Sequence, residues 1–403
     1  MLAAENTQAA QQSKRFLYLY ALAVSGGAVA FIPFLTILLP SQATAVWGKN
    51  ALSVLAQVAF AGAIAASIAN ILFGWASDKS RNRVRWIVAG LLLSSALLPA
   101  IYWVTSSTML IVMIICWQIC LNMMLAPLIA WAGDTVPDSQ KGLLGGLMSF
   151  APALGALSGA LVTLPGIAEP SQRLFIIALL VVVMVTPVLI LGRPIPMPQL
   201  LDNESAPEPR SDHNLGWRSA IVRMWLARLL VQIAEASLFA FLLLWFLSIA
   251  PGFIENDAAI VFAVVLTVPV FATLIVGHWS DRVDRPIRPL SISAAMSAVG
   301  LLLMSIASGL TLAIAGYFVF GVSSSIFLAL HSSQTLRVLR AAKTRGRDLG
   351  IFNLTNTVPS LIMPWLTLTV VPTYGFDALF VLLSGLAAVA ALLLITMPQR
   401  RLS

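Results

Sequence analysis

Glu235 is the one acidic residue of this chain that falls inside an apolar stretch and not at its edge. It lies seven residues after Arg228 and eleven after Met224. At a helical rise of about 1.5 Å per residue, that sets it roughly 10–16 Å deep, approaching the middle of a hydrocarbon core about 30 Å thick. A charge at that depth is expensive, so the carboxyl either faces a hydrated cavity or is protonated. Both conditions suit a group that takes up and releases a proton. Arg228, Gln232 and Glu235 stand at i, i+4 and i+7, which is one polar stripe on a helix. Two readings stay open on these residues: a proton site coupled to movement of a solute, and a structural carboxyl held by a polar group on another helix.

A second pattern recurs. GWASDKSRNRVRW, residues 74–86, is echoed by GHWSDRVDRPIR, residues 277–288. Each has a Gly, an Asp four positions on, a basic residue directly after it, and more bases beyond. Gly74, Asp78 and Arg85 return as Gly277, Asp281 and Arg288, each 203 positions later. A loop selected only for positive charge explains the bases but not the repeated Gly–Asp spacing. A Gly lets neighbouring helices approach closely. An Asp at the membrane face can hydrogen-bond to a helix N-terminus while nearby cations keep it charged. Such a contact can be made in one conformation and broken in another.

The elements that must position these residues are membrane helices. Hydrophobic residues make up 59% of the 403 and charged residues only 10%, against about 25% charged in soluble domains. Apolar stretches of membrane-spanning length cover 16–39, 52–75, 86–104, 109–132, 143–165 and 174–191. They resume at 224–249, 258–278, 289–306, 310–330, 349–371 and 378–397. The expected fold is an all-α polytopic membrane protein, twelve transmembrane helices in two six-helix pseudo-symmetric bundles. Residues 1–191 form the first bundle, 192–223 a Pro-rich and acidic cytoplasmic linker, and 224–403 the second bundle. Residues 16–39 follow Lys14 and Arg15 as a signal peptide would, but the stretch is too long for one and reads as the first span.

Placing the N-terminus in the cytoplasm puts 22 of the 24 Lys and Arg on the cytoplasmic side, leaving only Lys49 and Arg173 outside. That bias fixes orientation, puts both termini inside, and accounts for the net charge of +8 without nucleic acid. Cys116 and Cys120, four apart on one helix, are poorly placed for a disulfide. They read as packing residues. No metal-ligand cluster, Walker motif or nucleophile–base set is present, so no metal or cofactor is expected, and the chain reads as no enzyme.

On the Gly–Asp loops, the sequence resembles the major facilitator superfamily across essentially its whole length. Gly74, Asp78, Lys79 and Arg83 match the family's loop pattern in the first copy, and Gly277, Asp281, Arg282 and Arg285 in the second. Arg81 and Asp284 stand where the pattern has Gly, and Pro286 replaces a base. The resemblance implies that these loops latch the two bundles on the cytoplasmic side and favour the outward-open state. It also implies that spans one, four, seven and ten line a central cavity. The cavity candidates are then Gln232 on span seven; Trp117, Gln118 and Asn122 on span four; Tyr20 and Ser25 on span one; and Tyr317, Ser324 and His331 on span ten. Asn353 and Asn356, on span eleven, read as interhelical hydrogen-bond partners. The stretches FGWASDKSRNRVRW and GDTVPDSQKG also look like the glycoside–cation symporter and sucrose-carrier branch. Gly146, Gly155 and Gly159 match the first spacings of a glycine motif found in drug exporters, and equally fit close helix packing.

The expected function is therefore secondary active transport by alternating access. The substrate is a small polar organic solute, a saccharide or glycoside on the branch resemblance, carried by symport with a proton or another cation and coupled through Glu235 and Arg228. The alternatives are a proton-coupled exporter of drugs or other small molecules, and a channel, sensor or membrane enzyme without coupled transport. The expected partners are the solute, the coupling ion and the lipid bilayer, with the chain acting as a monomer in the inner membrane. The orientation is testable with topology reporters. Fusions after Asn82, Asp212 and Lys343 report a cytoplasmic location, and fusions after Gln42 and Asn256 an external one; an inverted signal at Asn82 removes the twelve-span reading.

Overall fold

A chain this apolar can satisfy its backbone in lipid only by hydrogen-bonding within each segment, which leaves helices or a closed barrel. The computed structural model describes residues 11–197, 215–250, 252–283, 287–338 and 345–397, of which 138, 215–220, 274, 277–283, 332–338 and 345–353 are described by backbone alone. Among the described residues the secondary structure is entirely helical. The first half holds α1 (Lys14–Pro33), a π-helical turn (Phe34–Leu38), α2 (Leu39–Trp47), α3 (Ala51–Ser80), α4 (Arg83–Ala100), α5 (Ser107–Thr135), α6 (Asp138–Met148), α7 (Ala151–Thr163) and α8 (Pro170–Leu191). The second half holds α9 (Leu215–Ile249), α10 (Glu255–Val283), α11 (Ile287–Ser305), α12 (Leu310–Val338) and α13 (Arg345–Ile395).

Among the described residues, ten helical stretches are long and apolar enough to cross a membrane. Two are too long for one crossing. One runs from Lys14 to Ser80 and turns at Gly48, whose φ of 51° and ψ of −118° no side-chain-bearing residue adopts readily. The other runs from Leu354 to Ile395 and breaks at Gly375, with φ 79° and ψ 175°. The stretch expected as one span over 143–165 is divided at Ser149 and Phe150 into α6 and α7. Pro152 follows at the second position of α7, where its missing N–H does no harm.

Local chemistry sets the helix ends. Ser13 Oγ accepts from the Phe16 N–H at 3.2 Å, and Asn82 Oδ1 accepts from the Arg85 N–H at 3.2 Å. Glu169 and Gln172 form a reciprocal capping box ahead of Pro170. The π turn falls between Pro33 and Pro40. Pro40 lacks an N–H and its ring crowds the carbonyl four residues back, so a widened turn just before it relieves the clash. On the face shared by the start of α1 and the end of α8, Gln12 engages all four of its polar atoms. It exchanges bonds with Gln140 (2.7 and 3.0 Å) and with the Ile195 backbone (2.6 and 3.0 Å).

Within the first half, α5 packs on α3 and α4, α1 on α7 and α8, and α4 on α8. Within the second, α13 packs on α9 and α11, and α12 on α10 and α11. Between the halves α7 meets α10 and α3 meets α13. Many large apolar side chains are exposed on the helices, as a lipid-facing surface requires: Ile71, Trp75, Trp103, Ile190, Ile275 and Trp365 are examples. Cys116 and Cys120 are free thiols.

Small residues let two helix pairs close to backbone contact. A Cβ at Gly90 of α4 would lie 2.3 Å from the Met124 N of α5. One at Gly300 of α11 would lie 2.4 Å from the Phe320 N of α12. The same helix pair is thus closed by a glycine in each half. Gly155 and Gly159 of α7 serve likewise against α1, facing Ile32 and Pro33, which is the packing role their spacing allowed. Gly90→Val and Gly300→Val must each push a helix pair apart, at a cost of roughly 1–3 kcal/mol. Thermal unfolding in detergent should show a lowered midpoint for both, while Gly145→Ala, whose added Cβ meets nothing within 4 Å, should leave it unchanged.

Candidate functional site

In α9, Met224, Ala227, Val231, Ala234 and Leu238 form the buried face. Arg228, Gln232 and Glu235 run alongside it and are half-buried. The apolar part of this helix is Ile221–Ile249, and Glu235 is its midpoint. Around the lower part of the stripe α9 is pinned to its neighbours. Arg228 Nη2 donates to Asn356 Oδ1 of α13 at 3.3 Å, and His331 Nε2 of α12 meets the Met224 carbonyl at 2.9 Å. Asn356 is thus interhelical, as its position suggested; the Asn353 side chain lies outside the described residues. Glu235 sits near enough to Arg228 and to Tyr317 of α12 for its charge to bear on both. Gln232 Oε1 is buried without a hydrogen-bond partner among the described residues, an acceptor left open beside the carboxyl.

The wall above Glu235 is aromatic. Phe239, one turn on, meets Phe31 of α1 at 6.4 Å between ring centroids and Phe262 of α10 at 6.2 Å. Phe262 stacks on Tyr317 at 6.2 Å. The Phe31–Phe239 contact joins the two halves of the chain directly over the polar stripe.

The other cavity candidates divide into two groups. Asn122 and Gln118 come together on α5: Asn122 Nδ2 donates to the Gln118 carbonyl at 2.9 Å and Asn122 Oδ1 accepts from Asn70 Nδ2 of α3 at 3.4 Å. The remainder are engaged elsewhere in this conformation. Trp117 is fully buried against Phe34, ring to ring at 5.0 Å. Tyr20 is fully buried, donates to the Leu128 carbonyl at 2.6 Å, and packs on Phe16 and Trp131. Ser25 and Ser324 return their hydroxyls to the Ala21 and Gly321 carbonyls of their own helices. His331 is fully buried by its contact with Met224.

The loop between α3 and α4 carries an ion network. Arg83 pairs with Asp78 and, through Nε at 2.9 Å, with Asp134 at the end of α5; its Nη1 donates to Ser77 Oγ at 2.6 Å. Lys79 lies 5.1 Å over the Trp75 ring, a cation–π contact. Arg81 takes the left-handed conformation, φ 50° and ψ 28°. A Cβ in that conformation costs about 1–2 kcal/mol, a strain that a Gly at this position would not carry. Gly74 does not work as its spacing suggested: a Cβ there would meet nothing within 4 Å, so no helix is closely apposed to it in this state. In the second copy the backbone of Gly277, Asp281 and Arg282 is helical. Their side chains, and Arg285, lie outside the described residues.

Asp134 was not singled out from sequence, although it stands in GDTVPDSQKG. It is 51 residues from Arg83, and no local spacing announces the pair. Asn70 was missed for the same reason, 52 residues from Asn122.

The profile described as Major Facilitator Superfamily matches residues 16–250 and 224–402. Solved transporters share the fold. The nucleoside transporter NupG, as a point mutant, aligns at TM-score 0.72 with 16% identity, covering 96% of this chain and 100% of that one. The POT family transporter PepTSo aligns at 0.69 with 13% identity, covering 94% and 97%. A bacterial homolog of the human lysosomal transporter Spinster, in an inward-facing and unoccupied conformation, aligns at 0.63 with 15% identity, covering 95% of each. No curated protein sequence matches. With a family profile accounting for nearly every residue from α1 to the end of α13, the chain belongs to the Major Facilitator Superfamily, a secondary transporter of small molecules and not an enzyme.

Proposed function

We propose that this chain moves a small polar organic solute by proton-coupled symport, with Glu235 as the proton site and Arg228 as its neighbouring cation. The observation that carries the reading is the position of Glu235: a half-buried carboxyl at the midpoint of an apolar span, beside the unpartnered acceptor of Gln232. A carboxylate at that depth is stable only when hydrated or neutralised. A site that closes over it, expelling water, therefore favours the protonated form, and a site that opens to water favours release. Solute and proton then move together whenever binding the solute and protonating Glu235 both favour the closed site.

The reading uses twelve passes in two six-helix bundles, 1–191 and 224–403, joined by the linker 192–223. The stretches broken at Gly48 and Gly375 each cross twice. Both termini and the linker face the cytoplasm, where the Lys and Arg are concentrated, and one copy of the chain suffices. Gln232, Gln118 and Asn122 supply donors and acceptors for a hydroxyl-rich or amide-bearing solute, and the Phe31–Phe239–Phe262–Tyr317 wall supplies its apolar face. Tyr317 belongs to that wall, and the reading has Ser324, His331, Tyr20, Ser25 and Trp117, engaged on their own neighbours here, reach the solute only in another conformation. The saccharide or glycoside class suggested by the loop resemblance fits these groups.

Two experiments test it. In proteoliposomes screened over many solutes under an imposed pH gradient, Glu235→Gln should abolish uphill accumulation and keep solute exchange, with thermal stability unchanged. Full pH-driven accumulation by that variant refutes the proton role, and lost stability with intact coupling makes Glu235 structural. For the loop between α3 and α4, Asp78→Asn and Asp134→Asn each leave Arg83 one acidic partner. Each should alter the accessibility of a cysteine engineered on the opposite face by roughly two- to fivefold, as expected for an exposed ion pair worth under about 1 kcal/mol. Unchanged accessibility and transport rate would reduce the network to a charge signal for topology.

A further inference from the structure

On the face opposite the Asp78 loop, three polar contacts from the first half converge on the first two residues of α10. Glu255 pairs with Arg173 of α8 and accepts from Ser41 Oγ of α2. Thr163 Oγ1, at the end of α7, meets Asn256 Oδ1 at 3.3 Å. Three separate helices of the first half thus reach one helix start of the second. The pair is shielded: the Arg173 side chain is 16% exposed and that of Glu255 34%. Neither residue belongs to the Gly–Asp loops or to the Glu235 stripe.

The placement of Glu255 is locally sound as well. A carboxylate in the first turn of a helix is stabilised by the unpaired N–H groups there, and Arg173 stands just inside α8, whose start is held by the Glu169–Gln172 box. Each partner is therefore fixed by its own helix, and the bond between them forms only when the two helix starts are together. One layer inward, Phe31 of α1 meets Phe239 of α9, directly over Glu235. The route from Glu235 to this face is crossed first by an aromatic layer and then by an ionic one.

We infer that Arg173 and Glu255, with Ser41, form the gate that holds this face closed in the inward-facing state, and that their separation is required for the face to open. The inference rests on alternating access between the two halves but not on proton coupling at Glu235. The pair acts on the transport cycle by positioning, without touching solute. Losing the Glu255 charge, with one of its two acceptor oxygens replaced by an amide donor, removes the charge pairing with Arg173 from the closed state alone, so the balance moves toward the open one.

The test reads distance, so no solute need be known. Spin labels are placed at Ser106 and Ser308, exposed positions on this face, one in each half, in a chain carrying Cys116→Ser and Cys120→Ser. Glu255→Gln should increase the population at long distance by about fivefold, the lower end of typical conformational couplings. The charge-exchanged chain, Arg173→Glu with Glu255→Arg, should return it toward the parent. Arg173→Gln reports the same contact if Glu255→Gln fails to fold. As a converse, oxidation of an Arg173→Cys, Glu255→Cys chain should remove the long-distance population, and reduction should restore it. A parent showing two populations that neither single variant shifts overturns the gate while leaving alternating access standing. A parent with one fixed distance here and at a matching label pair on the Asp78 face, under every condition, overturns both.

Discussion

Lipid offers a buried polar group neither a hydrogen bond nor water, and this protein is organised around that constraint. Many of the hydroxyls in its helices are turned back on the carbonyl three or four residues earlier, as with Ser25 on Ala21, Thr36 on Ile32, Thr135 on Trp131, Ser237 on Ile233 and Ser297 on Ser293. His331 is absorbed by the Met224 carbonyl and Arg228 reaches Asn356. With so much polarity settled locally, the half-buried Glu235 and the open acceptor of Gln232 stand out. Gln232 Oε1 shares its lack of a partner among the described residues with Ser95, Trp245, Thr267 and Thr367; its place beside a carboxyl at the midpoint of an apolar span sets it apart, as an acceptor that a travelling ligand can meet.

The same constraint shapes the helices. A proline in a membrane helix frees a carbonyl and crowds its neighbour, and the freed groups must be met nearby. The π turn at Phe34–Leu38, between Pro33 and Pro40, does this in the segment that carries Phe31 below it and Ser41 above it. The irregular turn therefore sits between the aromatic layer over Glu235 and the ionic contact at Glu255. A helix with a widened turn bends more easily there than a regular one, so the first helix is weakest at the level where the two halves meet.

Much of the architecture was readable in the sequence, because in lipid a helix is announced by length and apolarity alone. Counting residues from Arg228 sets Glu235 well inside its span, and the apolar part of the helix, Ile221–Ile249, is centred on it. Facing was harder to read. A helix apolar all round carries no stripe to say which side meets protein and which meets lipid, so Trp117, one residue before Gln118, reads as a cavity candidate while its ring is spent on Phe34. The break between α6 and α7 was hidden for a related reason, since both pieces are apolar and the turn at Ser149 and Phe150 interrupts neither composition nor length. Contacts such as Arg83 with Asp134 or Arg173 with Glu255 join residues 51 and 82 apart. Only the fold brings those together. Arg81 shows the opposite case: sequence marked it as a departure from the family's Gly, and its φ of 50° is a conformation that a Gly would adopt without strain.

The two charged clusters at the membrane faces differ in what they join. On one face, Arg83 gathers Asp78, Asp134 and Ser77, all within the first half, so that network stiffens one body wherever the other stands. On the other face, Glu255 of the second half is held by Arg173 and Ser41 of the first, a bond whose formation depends on the relative position of the two. In this conformation only the second kind joins the two bodies; the first can bias their equilibrium only if the opposite conformation breaks or re-pairs it, because an interaction present equally in both states shifts nothing. For Asp78 to act on the equilibrium as well, the opposite conformation must exchange part of the Arg83 contact for one with the second half. Its side chain is 62% exposed here, which leaves it room to make that exchange.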